Sequence, residues 1–208
     1  MHVKRRFAYL MVTAAAITMA SSASADDMRA SVLANTCNAC HGPDGSTFGP
    51  ATPSIAGVNA QYLIDTMNAY KSGARQSTIM ARIAKGYTDD EVKTIATYFS
   101  KQKLMRQVAQ KTDSALAAKG QELTRKYCQD CHEKDGYSGI DYPSLAGQPL
   151  PYLTYQISDF YSGARAIDKN AAMSAKEKKK KLRNLADMKA AEGQKGIDAI
   201  IAFYGSRK

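Results

Sequence analysis

The sequence predicts an all-α protein of two tandem domains that are related by an internal repeat. A Cys-x-x-Cys-His motif occurs twice, beginning at Cys37 and again at Cys128. Three other short segments recur at an offset of 90 residues, and self-similarity at a fixed period is typical of a repeated structural unit. Between these segments the apolar residues follow helical spacing, and no segment alternates convincingly as a strand would.

The N-terminus has the three-part pattern of a secretory signal peptide. Basic residues at 4–6 precede an apolar, uncharged run over 8–20, and small residues at 23–25 form a cleavage site. The apolar run is shorter than the roughly 20 residues that a membrane-spanning helix needs. We therefore expect residues 1–25 to be removed and the mature chain to be a periplasmic protein without a membrane span.

The chain is basic, with a formal net charge of +10. Much of the excess lies in the run 176–181, which only Glu177 interrupts. An exported protein rarely meets nucleic acid, so we expect no nucleic-acid partner. Two interpretations of the run stay open, a solvated surface and a docking surface for an acidic partner.

All cysteines and histidines of the mature chain fall in the two motifs. They are Cys37, Cys40, His41, Cys128, Cys131 and His132. Four cysteines in an exported chain are compatible with disulfides, and thiolates with imidazoles are compatible with zinc. Neither disulfides nor zinc binding explains why a histidine directly follows each second cysteine. Covalent haem attachment explains this spacing, because the two cysteines bind the vinyl groups of the haem and the histidine binds its iron. We predict two haem c groups.

The repeat defines two domains and a linker. The recurring segments are 53–57 with 143–147, 62–63 with 152–153, and 72–75 with 162–165. Near the ends, 95–98 pairs with 201–204 at an offset of 106, which predicts 16 extra residues in the second repeat. We expect domains over 26–103 and 114–208, each with the class I cytochrome c fold, and a linker over 104–113.

Helix ends are marked by capping residues. Asp27 and Asp113 are candidate N-caps for the helices that lead into the two motifs. The middle helix of the first repeat is expected to end at Gly73 in a left-handed conformation. Thr88 with Glu91 forms a capping box for the last helix of that repeat.

With both histidines used, methionine is the available sixth ligand of each iron. In the first repeat Met80 lies in an irregular stretch that can return over the haem, whereas Met67 lies on the apolar face of a helix. In the second repeat the spacing leaves Met173 and Met188 as alternatives.

Two smaller features predict how the histidines are held and how the helices cross. The carbonyl groups of Pro53 and Pro143 are candidate acceptors for the second ring nitrogen of each histidine. Gly120 suits a close crossing of the first and last helices of the second domain. The matching residue of the first domain is Arg29, for which the sequence offers no packing account.

The chain resembles the cytochrome subunit of flavocytochrome c sulfide dehydrogenase over essentially its whole mature length. The matching stretches are 35–42, 49–51, 53–56, 77–80, 83–87, 152–153, 158–160, 191–193 and 202–204. The resemblance implies a heterodimer with a flavoprotein subunit that holds FAD, oxidises sulfide and passes electrons through this chain to a soluble cytochrome c. It also favours Met173 over Met188, although the lysine run after Met173 is longer than in the family.

The chain is therefore expected to be no enzyme on its own. Two alternatives stay open, a free periplasmic dihaem carrier that serves a terminal oxidase and a haem peroxidase with an open iron position. The candidate methionines and the absence of a further histidine in the mature chain count against the peroxidase.

Overall fold

The structure, a computed structural model, describes residues 25–137, 142–165 and 173–208. All but one residue of the expected signal peptide lies outside these ranges. The helices are α1 (25–41), α2 (Ala60–Ser72), α3 (Met80–Ala84), α4 (Asp89–Ser100), α5 (Ser114–Tyr127), α6 (Glu133–Gly136), α7 (Leu150–Ser162) and α8 (Ala175–Ser206), with a 3-10 helix at Pro43–Gly45. The predicted all-α class is confirmed, and no helix in these ranges could cross a membrane.

Most of the predicted helix ends agree with the structure. The Asp113 side chain accepts a bond from the Leu116 backbone N–H at 2.8 Å, so Asp113 caps α5. Thr88 forms the full capping box in front of α4, and α2 ends at Gly73 with φ 76°. The prediction for Asp27 is wrong, because the helix already includes residue 25.

The second domain is built on the crossing of α5 and α8. A Cβ atom on Gly120 would lie 2.7 Å from the Phe203 Cβ and closer still to the Ala199 carbonyl, so only glycine allows this approach. The core around the crossing includes Leu123, Leu153, Ile197, Ile200 and Phe203. The expected role of Gly120 is confirmed.

The first domain packs its first helix through a different residue. Ala34 on α1 is fully buried and packs with Ile95 and Phe99 of α4, whereas Arg29 is exposed. A small residue five positions after Arg29 therefore provides the close packing that Gly120 provides in the second domain.

The structure corrects the register of the last helices. The backbone N–H of Gly57 donates to the Phe99 carbonyl at 2.8 Å, and that of Gly147 donates to the Tyr204 carbonyl at 2.8 Å. Phe99 is therefore equivalent to Tyr204, at an offset of 105. Because the preceding segments have an offset of 90, the second repeat has 15 extra residues rather than 16.

The extra residues of the second repeat lengthen α8. Ser174 caps the N-terminus of α8 and forms a capping box with Glu177. Gly193, with φ 61° and ψ −157°, interrupts the helix. We call the part at 175–192 the lysine-rich helix, and the part at 194–206 is the counterpart of α4. The lysine run therefore stands on a helix that the first domain lacks.

The predicted linker is bonded to both domains. The Met105 backbone N–H donates to Ser46 Oγ of the first domain at 3.0 Å. Gln110 Nε2 donates to the Gly205 carbonyl of the second domain at 2.8 Å. The linker therefore holds the domains against each other.

Candidate haem sites and the domain interface

Each Cys-x-x-Cys-His motif lies at the C-terminal end of the first helix of its domain. Cys37, Cys40 and His41 occupy the last turns of α1. Cys128 is the C-cap of α5, and its carbonyl accepts the His132 backbone N–H at 2.9 Å, which adds one more turn. Helical spacing therefore places the thiols and the imidazole of each motif around one end of a helix.

No disulfide joins any two of the four cysteines. The Cys37 side chain packs against the core of Ala34, Ile95 and Phe99, and the Cys128 side chain packs against the core of the second domain. Burial raises the pKa of both thiols, that of Cys128 to about 12. The thiols are thus held neutral at the edge of an apolar core, where an apolar macrocycle can lie.

His41 is held in one orientation. Its Nδ1 bonds the Pro53 carbonyl at 2.8 Å, as expected from the repeat. Because a carbonyl accepts only, Nδ1 carries the proton and Nε2 is left as the free donor atom. Burial lowers the pKa of His41, which keeps the imidazole neutral as an iron ligand requires.

His132 differs from His41 in its hydrogen bonding. Its Nδ1 is buried and has no partner of hydrogen-bonding geometry among the described residues, although the Pro143 carbonyl is close enough to raise its pKa. Burial outweighs this and, together with the Lys181 cation, lowers the pKa of His132 to about 3. The Tyr142 ring packs edge-on against the imidazole at 5.6 Å between centroids. The Pro143 carbonyl is therefore the neighbour of His132 Nδ1, as expected, but without the well-aligned hydrogen bond that His41 forms with Pro53.

The candidate methionines lie in different environments. Met80 begins α3 and is half-buried, and Met67 is half-buried on α2. Met173 lies just before the lysine-rich helix and is 7% exposed. Met188, 2% exposed, belongs to the core cluster with Leu123 and Ile197, which is a packing environment.

The two Ser-Gly-Ala-Arg segments meet at the domain interface, which the sequence did not predict. Arg75 and Arg165 form an antiparallel backbone bridge. Both guanidinium groups donate to Gln156 Oε1, Arg75 at 2.5 Å and Arg165 at 2.6 Å, and Arg165 also donates to the Tyr62 hydroxyl at 2.6 Å. The only signal in the sequence is that both repeats keep a charged arginine at the same place.

This interface is rich in buried positive charge. Arg75 is 7% exposed, and among the described residues neither arginine forms an ion pair with a carboxylate. Burial on its own raises the pKa of Tyr62, but the cations around it outweigh this and lower it to about 8. Buried charges need a partner of opposite sign. The interface therefore has the character of an anion site.

A haem group fits this donor set. Each domain offers two cysteine side chains and a neutral imidazole, and in the first domain the Nδ1 of that imidazole is held by the Pro53 carbonyl. The carboxylates of a bound haem would supply the negative charge that Arg75 and Arg165 lack among the described residues. With haem bound, such a site moves single electrons between the two oxidation states of iron.

Two family models match the chain in succession. The model described as "Cytochrome c" matches residues 29–103, and the one described as "Cytochrome C oxidase, cbb3-type, subunit III" matches residues 115–203. Together they cover both motifs. The chain therefore carries two cytochrome c domains, each of which binds a covalently attached haem c and acts in electron transfer.

Relatives that align with most of the chain extend this assignment across both domains. Cytochrome c4 of Pseudomonas aeruginosa is 32% identical over 162 residues, 73% of this chain and 79% of the relative. The cytochrome subunit of sulfide dehydrogenase of Chlorobaculum tepidum is 41% identical over 73 residues, 35% of this chain and 66% of the relative. The crystal structure of reduced cytochrome c4 from Pseudomonas stutzeri is 27% identical, with a TM-score of 0.70 over 86% of this chain and 98% of that structure. The chain belongs to the cytochrome c4 family of dihaem c-type cytochromes.

Proposed function

We propose that this chain is a periplasmic carrier that takes up single electrons at one haem and releases them at the other. In the first domain Cys37 and Cys40 attach the haem, and His41 and Met80 bind its iron. In the second domain the same roles fall to Cys128, Cys131, His132 and Met173. The observation that carries the proposal is the interface, where equivalent arginines of both domains meet one glutamine, because it packs the two haem-binding domains together through one buried polar region.

The protein residues prepare each site for fast electron transfer. The Pro53 carbonyl keeps the proton of His41 on Nδ1, so the ring needs no rearrangement when the charge of the site changes. Gln148 bonds Ser54 in both directions, donating to its carbonyl at 3.0 Å and accepting from its backbone N–H at 2.9 Å. These bonds hold the domains in one arrangement, which keeps the separation of the two haem sites constant.

A free carrier agrees best with the extent of the similarity. Cytochrome c4 of Pseudomonas aeruginosa aligns across both domains of this chain, whereas the sulfide dehydrogenase subunit aligns over 73 residues. The second candidate is the electron-accepting subunit of a heterodimer with an FAD-bearing, sulfide-oxidising flavoprotein. Its support is the 41% identity in that shorter region. In both cases we propose a soluble cytochrome c or a terminal oxidase as acceptor.

Purification of the native protein separates the two candidates. A free carrier elutes at its monomer mass with haem absorbance alone. A subunit elutes with a second polypeptide and with flavin absorbance. Co-elution with flavin at a fixed stoichiometry would contradict the free carrier.

Sulfide should reduce the isolated chain slowly or not at all, because each haem accepts one electron at a time whereas the oxidation of sulfide to sulfur releases two electrons. The measurement is the haem spectrum after anaerobic sulfide addition, with dithionite as the control that reduces both haems. Rapid, stoichiometric reduction by sulfide would show that no flavin partner is needed and would contradict the subunit candidate.

Arg75→Gln is expected to lower the haem reduction potentials by an amount on the order of 50 mV. A buried cation favours the reduced haem, which carries less positive charge, and for a one-electron couple this shift corresponds to about 1 kcal/mol. Potentiometric titration of both haems measures it. Arg29→Gln, which removes an exposed cation, is the control and should leave the potentials unchanged. Equal shifts in both variants would contradict a role for the interface.

A further inference from the structure

The lysine-rich helix and α7 enclose an apolar groove on the second domain. The groove has a volume of about 460 Å³, and its lining includes Phe160, Tyr161, Leu182, Leu185 and Ala186. Leu182 is 48% exposed although it is a large apolar residue. An apolar depression of this kind on a protein surface commonly marks a contact site.

The helix beside the groove is strongly basic. Residues 175–192 contain seven basic and three acidic residues. Two of the acidic residues are engaged, Glu177 with Tyr142 at 3.1 Å and Glu192 with Lys126 at 3.8 Å. Lys179 and Lys189 are exposed at helical spacing on either side of Leu182. The surface around the groove therefore attracts negative charge.

Tyr161 connects the groove to the second haem site. Its ring lines the groove and packs against the core cluster that also contacts Cys128. Its hydroxyl donates to the Leu185 carbonyl at 3.0 Å, which ties α7 to the lysine-rich helix. Tyr161 therefore lies between the groove and the core against which Cys128, a haem attachment residue, also packs.

We propose that this groove docks an acidic electron-transfer protein, which places an apolar side chain against Leu182 and exchanges one electron with the second haem. The inference rests on the proposed carrier function and names the partner chemistry for one of its two haems. A membrane fits less well, because a helix that lies on lipid presents a broad apolar face, whereas Leu182 is here flanked by the small Ala186 and by lysines.

The test uses the haem-loaded chain and one pair of probe proteins. A small monohaem cytochrome c with succinylated lysines is the acidic probe, and the same cytochrome unmodified is the basic probe. Stopped-flow absorbance gives the second-order rate constant of electron exchange at several ionic strengths. The groove variants are Leu182→Glu and the double variant Lys179→Glu with Lys189→Glu. The control is Lys93→Glu with Lys119→Glu, which makes the same charge change at exposed positions on α4 and α5.

Both groove variants should lower the rate constant with the acidic probe by about tenfold and flatten its salt dependence, while the control stays within about twofold. Exchange with the basic probe should not fall. Soret and far-UV circular dichroism spectra that match the wild type establish that the variants are folded.

Three outcomes would overturn the inference. They are an equal loss in the control, unchanged rates in both groove variants, and loss of binding to phosphatidylglycerol vesicles with unchanged exchange rates. If the reduced wild-type chain passes electrons to neither probe, the carrier function itself is wrong. Normal wild-type transfer with unaffected groove variants would be evidence against the groove alone.

Discussion

Met173→Ala is expected to convert the second haem to a high-spin form that binds carbon monoxide when reduced. Methionine sulfur completes the low-spin coordination and raises the reduction potential, so its loss should also lower that potential by something on the order of 100 mV or more. About half of the long-wavelength sulfur-to-iron absorption band should disappear. Met80→Ala should remove the other half and leave the second haem unchanged.

Met188→Ala is the matched control for this assignment. Because Met188 packs in the core with Leu123 and Ile197, its truncation should cost about 2–5 kcal/mol of unfolding free energy. Its absorption spectrum should remain that of the wild type. If Met188→Ala loses the band and Met173→Ala keeps it, the axial residue is Met188.

Gly120→Ala is expected to destabilise the haem-loaded chain by about 1–3 kcal/mol through overpacking. The new methyl group would lie 2.7 Å from the Phe203 Cβ and closer to the Ala199 backbone, so α5 and α8 must move apart. Helix propensity alone predicts the opposite sign, a gain of about 0.5–1 kcal/mol. Guanidinium unfolding followed by circular dichroism measures the sign directly.

Gly86→Ala makes the same substitution at a position with more room. Its nearest neighbour, the Ile83 carbonyl oxygen, would lie 3.3 Å from the new methyl group. We expect a change below about 0.5 kcal/mol. A stabilised Gly120→Ala variant would show that the two helices do not cross as closely as described.

The features that the sequence predicted are those that depend on neighbouring residues. Asp113 and the Thr88–Glu91 pair bond backbone groups three residues away, so their type and spacing alone identify the helix ends. The residues of each haem motif lie within five consecutive positions, so residue type and spacing alone identify them as well. The register of the last helix was missed because residues 199–204 are almost all apolar, and that pattern fits an offset of 105 or 106.

The domain interface could not be predicted because its partners are distant along the chain. Arg75 and Gln156 are 81 residues apart, and their contact depends on how two finished domains dock. The two arginines stand at equivalent positions of the two repeats, which draws attention to them but does not identify the residues that they contact. The same holds for the groove, which exists only because the lysine-rich helix folds back along α7.

The bonded linker has a kinetic consequence. If a flexible linker joined the domains, electrons would pass between the haems only when the domains collided. The rate of electron transfer would then fall as the viscosity of the solvent rose. Gln110 and Met105 instead anchor the connecting segment to both domains. Tunnelling between the haems then proceeds across a fixed gap, at a rate that depends on neither viscosity nor protein concentration.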